Sequence, residues 1–202
     1  MKKIIIFGST GMTGLCTLEY AVKQGFEVRV FVRDESKIPE HLRSKVEAVI
    51  GDVTNNEQVS KAVAGTEGVV VVLGTRNDLK PTTMMSDGIK NIIQAMKTHS
   101  VNVISVCLSA FLFYKPNDVP AIFRDINADH QRMFDAVKES ELQWIAVLPP
   151  HIADSPSAGY QIEHDKSPGR MISKHDLGAF LIDALQKPEH YRKVCGITSL
   201  SK

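Results

Sequence analysis

Cysteine is scarce in this chain. Cys16, Cys107 and Cys195 are odd in number and far apart among 202 residues. Such a set builds no disulfide framework and fits a reducing compartment. An excess of one charge is also missing. The 24 basic and 23 acidic side chains leave a formal net charge of +1, so neither nucleic acid nor an anionic membrane is expected as the main partner. There is no long hydrophobic run either. The opening Met1-Lys-Lys-Ile-Ile-Ile-Phe7 could pass for a secretory leader, but its apolar stretch ends after four residues at Gly8. That is too short for a leader's apolar region, and no later segment is long enough to span a bilayer. The expectation is a soluble, cytoplasmic protein. No internal repeat or low-complexity tract appears, and nothing marks a second domain. Residues 1–202 read as one domain, large enough to bury a core without staples.

What is present starts at the N-terminus. Ile4–Phe7 is apolar and β-branched and reads as a buried parallel strand, while Leu15–Val22 reads as an amphipathic helix. Between them lies Gly8-Ser-Thr-Gly11-Met-Thr-Gly14. A strand, a glycine-rich turn and a helix make a dinucleotide-binding device. Backbone without Cβ lets a pyrophosphate approach, and the helix N-terminus offers unpaired N–H groups and partial positive charge. The alternative is a tight strand–helix connection that holds no ligand.

Further strands are expected at Glu27–Val32, Val46–Ile50, Gly68–Leu73, Val101–Leu108 and Gln143–Leu148. Helices are expected around Asn55–Val63, Thr83–His99 and Ala128–Ser140. Met84, Met85, Ile89, Ile92, Ile93 and Met96 share a helical face and read as core packing. This alternation implies an α/β fold: a single doubly wound, parallel, Rossmann-like sheet in strand order 3-2-1-4-5-6. Pro149–Gly169 lacks periodicity and reads as a long loop, followed by a helix over Lys174–Gln186. Together they are expected over the ligand crevice. Ser173 and Asp176 nearly form a capping box at the start of that helix, which is a structural role.

The strand ends then carry the chemistry. The second strand delivers Arg33, with Asp34 next and Lys37 close behind. A guanidinium can pair with a 2′-phosphate, whereas a carboxylate there would repel it, so NADPH is expected over NADH. The alternative leaves Arg33 as a solvated loop residue and gives the ribose to Asp34. Asp52, in Gly51-Asp-Val53, can accept from the adenine amino group or cap the helix near Asn55. Gly74, in Gly74-Thr-Arg76, allows backbone close to the nicotinamide ribose. Ser109 and His151 stand just after strands five and six, placed to orient an acceptor and to supply or relay a proton. Each also has a plain structural reading, as a strand-end cap and as a partner for backbone carbonyls.

The glycine spacing resembles the atypical branch of the short-chain dehydrogenase/reductase superfamily. The Tyr-x-x-x-Lys pair that most of that superfamily uses is absent, since Tyr20, Tyr114, Tyr160 and Tyr191 are followed four places on by Gln24, Asp118, His164 and Cys195. A closer resemblance covers nearly the whole chain. Gly8–Gly14, Val32-Arg-Asp34, Gly51-Asp-Val53 and Leu73-Gly-Thr-Arg-Asn-Asp-Leu-Lys-Pro-Thr-Thr83 carry it, with Ser109-Ala-Phe-Leu112, Pro149-Pro-His151 and Ile172-Ser-Lys-His-Asp-Leu-Gly178. Together they are similar to the NADPH-dependent flavin reductase / biliverdin-IXβ reductase family.

The resemblance implies a monomer that reduces FMN, riboflavin and non-α biliverdins with NADPH, the flavin being substrate rather than prosthetic group. It implies a pyrophosphate on Thr10, Gly11, Met12 and Thr13, and a 2′-phosphate on Arg33. Asp52 and Val53 would lie by the adenine, and Leu73, Gly74, Thr75 and Arg76 on the nicotinamide side. Ser109 and His151 would line the acceptor pocket. Cys107 matches a family cysteine and reads as packing. The chain departs from the family at Asp118 and Ile122, where basic residues that reach an acidic acceptor are expected; Lys115 and Arg124 stand nearby at shifted positions. Two other readings share every glycine motif. One is a non-catalytic NADP(H)-sensing regulator of the NmrA type, and the other is a quinone-type reductase of the same branch.

Overall fold

In the computed structural model, which describes residues 1–75 and 77–200, the β-branched runs pair side by side into one central sheet. The elements are β1 (Lys3–Phe7), α1 (Met12–Lys23), β2 (Glu27–Val32), α2 (Glu40–Arg43), β3 (Val46–Ile50), α3 (Asn56–Val63), β4 (Gly68–Val71) and α4 (Met84–Thr98). They continue with β5 (Val103–Cys107), α5 (Arg124–Glu139), β6 (Gln143–Leu148), β7 (His151–Ala153), β8 (Tyr160–His164), β9 (Met171–Ser173), α6 (Lys174–Asp183) and β10 (Lys193–Ser199). The sheet runs β3-β2-β1-β4-β5-β6-β10-β8. Every pairing is parallel except β8 on β10. β7 and β9 form a small separate parallel pair.

The period of two along β1 sorts its side chains into two cores. Ile5 and Phe7 join the cluster under α3, α4 and α5, with Met85, Ile89, Ile92 and Met96. Ile4 and Ile6 join the cluster under α1 and α6, with Leu18, Leu177 and Phe180. A strand covered on both faces has no polar alternation, which is why β1 is apolar throughout. The methionine-rich stripe of α4 packs as expected, and only Met84 is partly exposed.

The chain after β6 is more ordered than the expected loop. Pro149–Gly169 contains β7 and β8, and β10 is an additional strand beyond the last helix. β8 is an edge strand whose Tyr160 and Ile162 pack inward while Gln161 and Glu163 alternate with them. The Glu163–Lys166 ion pair puts charge on that edge, which discourages pairing with another chain. β10 runs unbroken through Gly196, where a Cβ would lie 2.0 Å from the Lys166 carbonyl oxygen; the segment after β8 crosses there.

The last helix packs as a flanking helix against α1, touching so closely that a Cβ on Gly178 would sit 2.8 Å from the Thr17 nitrogen. The chain between β6 and α6 reaches the crevice through Ile152 of β7. Ser173 caps α6 by accepting from His175 N–H at 3.2 Å. Asp176 does not complete a capping box. Its buried carboxylate accepts from Ser157 Oγ, Ala158 N–H and Ser199 Oγ, tying the chain between β7 and β8 to β10. Among the described residues, no helix is long and apolar enough to cross a membrane.

Candidate functional site

β1 delivers the chain to Gly8, whose φ of 86° is in the left-handed region and whose hypothetical Cβ would sit 2.2 Å from the Val72 carbonyl oxygen. Only glycine turns the chain here without strain. At Gly14 a Cβ would lie 2.0 Å from the Gly8 carbonyl oxygen, so α1 rests directly on the turn. Gly11 is the N-cap of α1. Among the described residues no side-chain cap holds this helix, and its first turn has no acidic residue. Its leading N–H groups and the positive end of its dipole therefore face the crevice without competition. This cradle fits a dinucleotide diphosphate.

The crevice beside it encloses about 430 Å³. Gly8, Thr10, Gly11, Met12, Thr13 and Gly14 line its centre. Arg33, Asp34, Lys37, Asp52 and Val53 line one end, at the C-terminal tips of β2 and β3. The Asp34 carboxylate serves its own turn: it accepts from Ser36 N–H at 3.0 Å and Ser36 Oγ at 2.6 Å, capping a short 3₁₀ turn. Lys37 Nζ lies 3.9 Å from it. Arg33 is exposed, and among the described residues no hydrogen bond or ion pair holds it. Asp52 accepts from Thr54 N–H at 2.8 Å and Thr54 Oγ1 at 2.6 Å. Those bonds, and more weakly the Arg33 charge, keep its carboxyl below the usual range. The cap of α3 comes from Asn55, whose side chain accepts from Gln58 N–H at 3.0 Å. Val53 fits against α4 where Gly88 leaves room, and its carbonyl accepts from Asn91 at 3.0 Å.

Leu73, Gly74 and Thr75 lead into the other end, after β4. Arg76 lies outside the described residues. The walls here are Met84, Met85, Cys107, Leu108, Ile126 and Ile152, together with His130 of α5. His130 is the residue that sequence reasoning missed. Burial pushes its imidazole down to about 4, the neighbouring Asp129 charge opposing only in part. The ring is therefore neutral at physiological pH, and its Nδ1 is buried with no hydrogen-bond partner among the described residues. Cys107 is inert for a related reason, since burial lifts its thiol to about 12.

Asp129, next to His130, ties α5 to α4. Its carboxylate is fully buried, accepts from Met85 N–H of α4 at 3.1 Å and pairs with Arg132 Nη2 at 3.0 Å. Arg132 also donates to the Thr82 carbonyl at 2.7 Å. One acid thus caps α4 from the neighbouring helix and fixes the end of the crevice. Asp129→Ala strands a buried N–H and frees Arg132, which is expected to cost ~1–3 kcal/mol. Urea unfolding should show that loss as a lower midpoint with an unchanged slope; an unaltered midpoint would mean solvent replaces the carboxylate without cost.

Ser109 and His151 lie at adjacent strand ends. Leu108 N–H donates to Val147 O at 2.8 Å, and Ala110 N–H to Pro149 O at 2.9 Å. Neither side chain lines the crevice. Ser109 Oγ accepts from Phe111 N–H at 3.2 Å and caps a 3₁₀ turn. His151 is exposed and pairs with Met171 in the β7–β9 ladder. Successive strand residues point to opposite faces, so with Ile152 on the crevice wall His151 faces away from it.

A doubly wound sheet with an uncapped helix N-terminus over a glycine turn defines the dinucleotide-binding class of α/β proteins. Residues 8–188 match the NAD(P)H-binding family, and the chain belongs to it. An oxidoreductase of Pestalotiopsis microspora is 24% identical over 214 residues, covering 94% of this chain and 81% of its own. Among solved structures, a Rossmann-fold NAD(P)-binding family protein from Shigella flexneri superposes with a TM-score of 0.78 at 23% identity, over 100% of this chain and 98% of that one. ChuY, an anaerobillin reductase from Escherichia coli O157:H7, gives 0.82 at 14% identity over 100% of both chains. The chain is thus a member of an NAD(P)H-binding family.

Proposed function

We propose that this protein is an NADPH-dependent reductase of planar conjugated acceptors: FMN and riboflavin, and non-α biliverdins such as the IXβ isomer. The flavin is a substrate, not a prosthetic group. The observation that carries this reading is the end of the crevice beyond β4, where Leu73, Leu108, Ile126 and Ile152 make apolar walls around a neutral His130. Apolar walls suit a flat conjugated ring system. The absence of a tyrosine–lysine pair argues against alcohol–ketone chemistry. The bound nicotinamide supplies the hydride.

The chain's own residues then have definable roles. Backbone N–H groups of the glycine turn and of the start of α1, between Thr10 and Thr13, hold the diphosphate. Arg33 and Lys37 take the 2′-phosphate, and Asp52 and Val53 border the adenine. The apolar walls position the acceptor and keep water from one face. His130, held neutral, orients the acceptor through a hydrogen bond and does not serve as a standing acid. The proton comes from solvent. Reductase and oxidoreductase relatives on the same scaffold support this reading. The protein is proposed to act as a cytoplasmic monomer, which sedimentation and fractionation check.

The test follows NADPH oxidation with FMN, riboflavin, biliverdin IXβ and a quinone. Turnover with the first three is expected. NADPH binding with no turnover on any of them would overturn the reading and favour a nucleotide sensor, to which the position of Ser109 and His151 off the crevice wall would conform. Turnover confined to the quinone would reassign the acceptor. Because neither side chain lines the crevice, the double variant Ser109→Ala, His151→Ala is expected to keep KM for the acceptor and kcat close to wild type, well short of the ~10²–10⁴ that loss of a general acid brings. A kcat loss in that larger range would make one of the pair the proton donor.

A further inference from the structure

The chain carries a cluster that the reductase reading does not use, at the far edge of the sheet. β8 and β10 pair antiparallel with His164 directly opposite Cys195, so the two side chains project from the same face. Between α6 and β10, the 3₁₀ turn Pro188–His190 brings a second imidazole onto that face. His190 Nδ1 lies 3.0 Å from His164 Nε2 and 3.9 Å from Cys195 Sγ. All three donor atoms lie within 4.8 Å of one another. None of the three residues lines the dinucleotide crevice.

We propose that His164, His190 and Cys195 form a binding site for a borderline-soft divalent cation of the zinc class, with water in the fourth position. A tetrahedral zinc with bonds of about 2.0–2.1 Å to nitrogen and 2.3 Å to sulfur sets its ligand atoms roughly 3.3–3.6 Å apart. The observed separations bracket that spacing, and a rotation of the exposed His164 ring closes the set. Two imidazoles and a thiolate favour zinc over magnesium or calcium, which take oxygen ligands.

The surroundings are arranged for this. The His190 ring is fixed by edge contacts with Phe180 and His164, each at 5.2 Å between centroids. Cys195 is fully buried and His164 is exposed, so the ion would sit at the boundary of the core with its open position toward solvent. The charges of Asp165 and Glu189 reach Cys195 and His190 respectively and favour a cation there; Lys187 opposes them at His190. On binding, the thiol gives its proton to solvent and the thiolate coordinates the metal, with no change of oxidation state. The ion would cross-link β8, β10 and the turn before β10.

The test uses the full-length protein stripped with chelator and titrated with Zn²⁺ by calorimetry and with Co²⁺ by absorption. One ion per chain, a thiolate-to-cobalt charge-transfer band and d–d bands of tetrahedral intensity are expected. The melting temperature should rise with Zn²⁺. Cys195→Ser should abolish the charge-transfer band. Because that position is buried, His164→Gln at the exposed position is the companion variant, and it should weaken Zn²⁺ binding by roughly 100-fold while the metal-free protein melts as before. Zn²⁺ binding equal in wild type and His164→Gln, or a Co²⁺ complex with no thiolate band, would overturn the site and leave His164–His190 as a simple imidazole hydrogen bond. None of these readouts depends on reductase turnover.

Discussion

Gly14→Ala is expected to weaken NADPH binding at least tenfold and to destabilise the fold by ~2 kcal/mol. Two effects oppose each other. Alanine is the better helix former by ~0.8–1.0 kcal/mol, so in an unconstrained helix the change would stabilise. Here the added Cβ would lie 2.0 Å from the Gly8 carbonyl oxygen, 2.9 Å from its carbon and 3.0 Å from the Ser9 carbon. All three are backbone atoms and cannot swing aside as a side chain would. Forcing atoms into a packed site costs ~1–3 kcal/mol or more, and with backbone as the obstacle the upper part of that range applies. The clash wins. It relaxes by lifting α1 off the turn, which moves the N–H groups away from the diphosphate position. Gly74→Ala is the control, because its Cβ would meet nothing among the described residues within 4 Å; its stability should stay within about 0.5 kcal/mol of wild type. Chemical denaturation and nucleotide titration of the two variants check both statements. Wild-type stability and affinity in Gly14→Ala would show that α1 does not need this close contact.

The legible parts of the site were those encoded by neighbours in the chain. The cradle is one run of residues, Gly8 to Gly14, and its conformation follows from local rules. The end of the crevice beside β2 and β3 was legible because the strand order puts their tips on the same side as the first turn, so Arg33, Lys37, Asp52 and Val53 could be placed on its wall without contacts. The other end was different. His130 lies in register with Met133 and Val137, both fully buried, and a histidine on an apolar stripe reads as core. Its position depends on Asp129 reaching Met85, 44 residues away, and no periodicity encodes that. The strand-end rule did place Ser109 and His151 side by side. It did not say that Ser109 would cap a turn or that the pleat of β7 would turn Ile152, not His151, toward the crevice.

The edge of the sheet was missed for another reason. β8 alternates Tyr160, Ile162 and His164 with Gln161 and Glu163, a true two-residue period but short and highly charged. β10 carries Gly196 at its centre, where glycine normally signals a break. The glycine is there for the crossing segment at Lys166, a contact visible only once β8 is in place. Asp176 shows the same limit. Three places after a capping serine it looked like half of a local motif, yet its carboxylate reaches Ser157 and Ser199. A buried acid with three donors from two separate segments organises tertiary structure, and the sequence around it describes only the helix on which it sits.

Arg33→Ala is expected to reduce the preference for NADPH over NADH roughly ten- to a hundredfold, on the reading that Arg33 takes the 2′-phosphate. A hydrogen bond to a charged group contributes ~1.5–3 kcal/mol, and each 1.4 kcal/mol is a factor of about ten. The position favours a clean result. Arg33 lines the crevice, is exposed, and has no hydrogen bond or ion pair among the described residues. Its removal should therefore leave the melting temperature and NADH affinity close to wild type. Asp34 does not compete for the phosphate site as a free acid, since its carboxylate is bound to Ser36. Arg33→Lys should recover only part of the preference, because an ammonium makes a point contact where the guanidinium fork makes two. Two conditions sharpen the test. Because the site is exposed, the selectivity should shrink with added salt. A phosphomonoester loses its second proton near pH ~6, so the preference should weaken as pH falls through that value and the dianion is lost. Equal weakening for both nucleotides would assign Arg33 a structural role and move the phosphate to Lys37. An unchanged preference in both Arg33→Ala and Lys37→Ala would remove the NADPH assignment and leave a crevice that does not distinguish the two nucleotides.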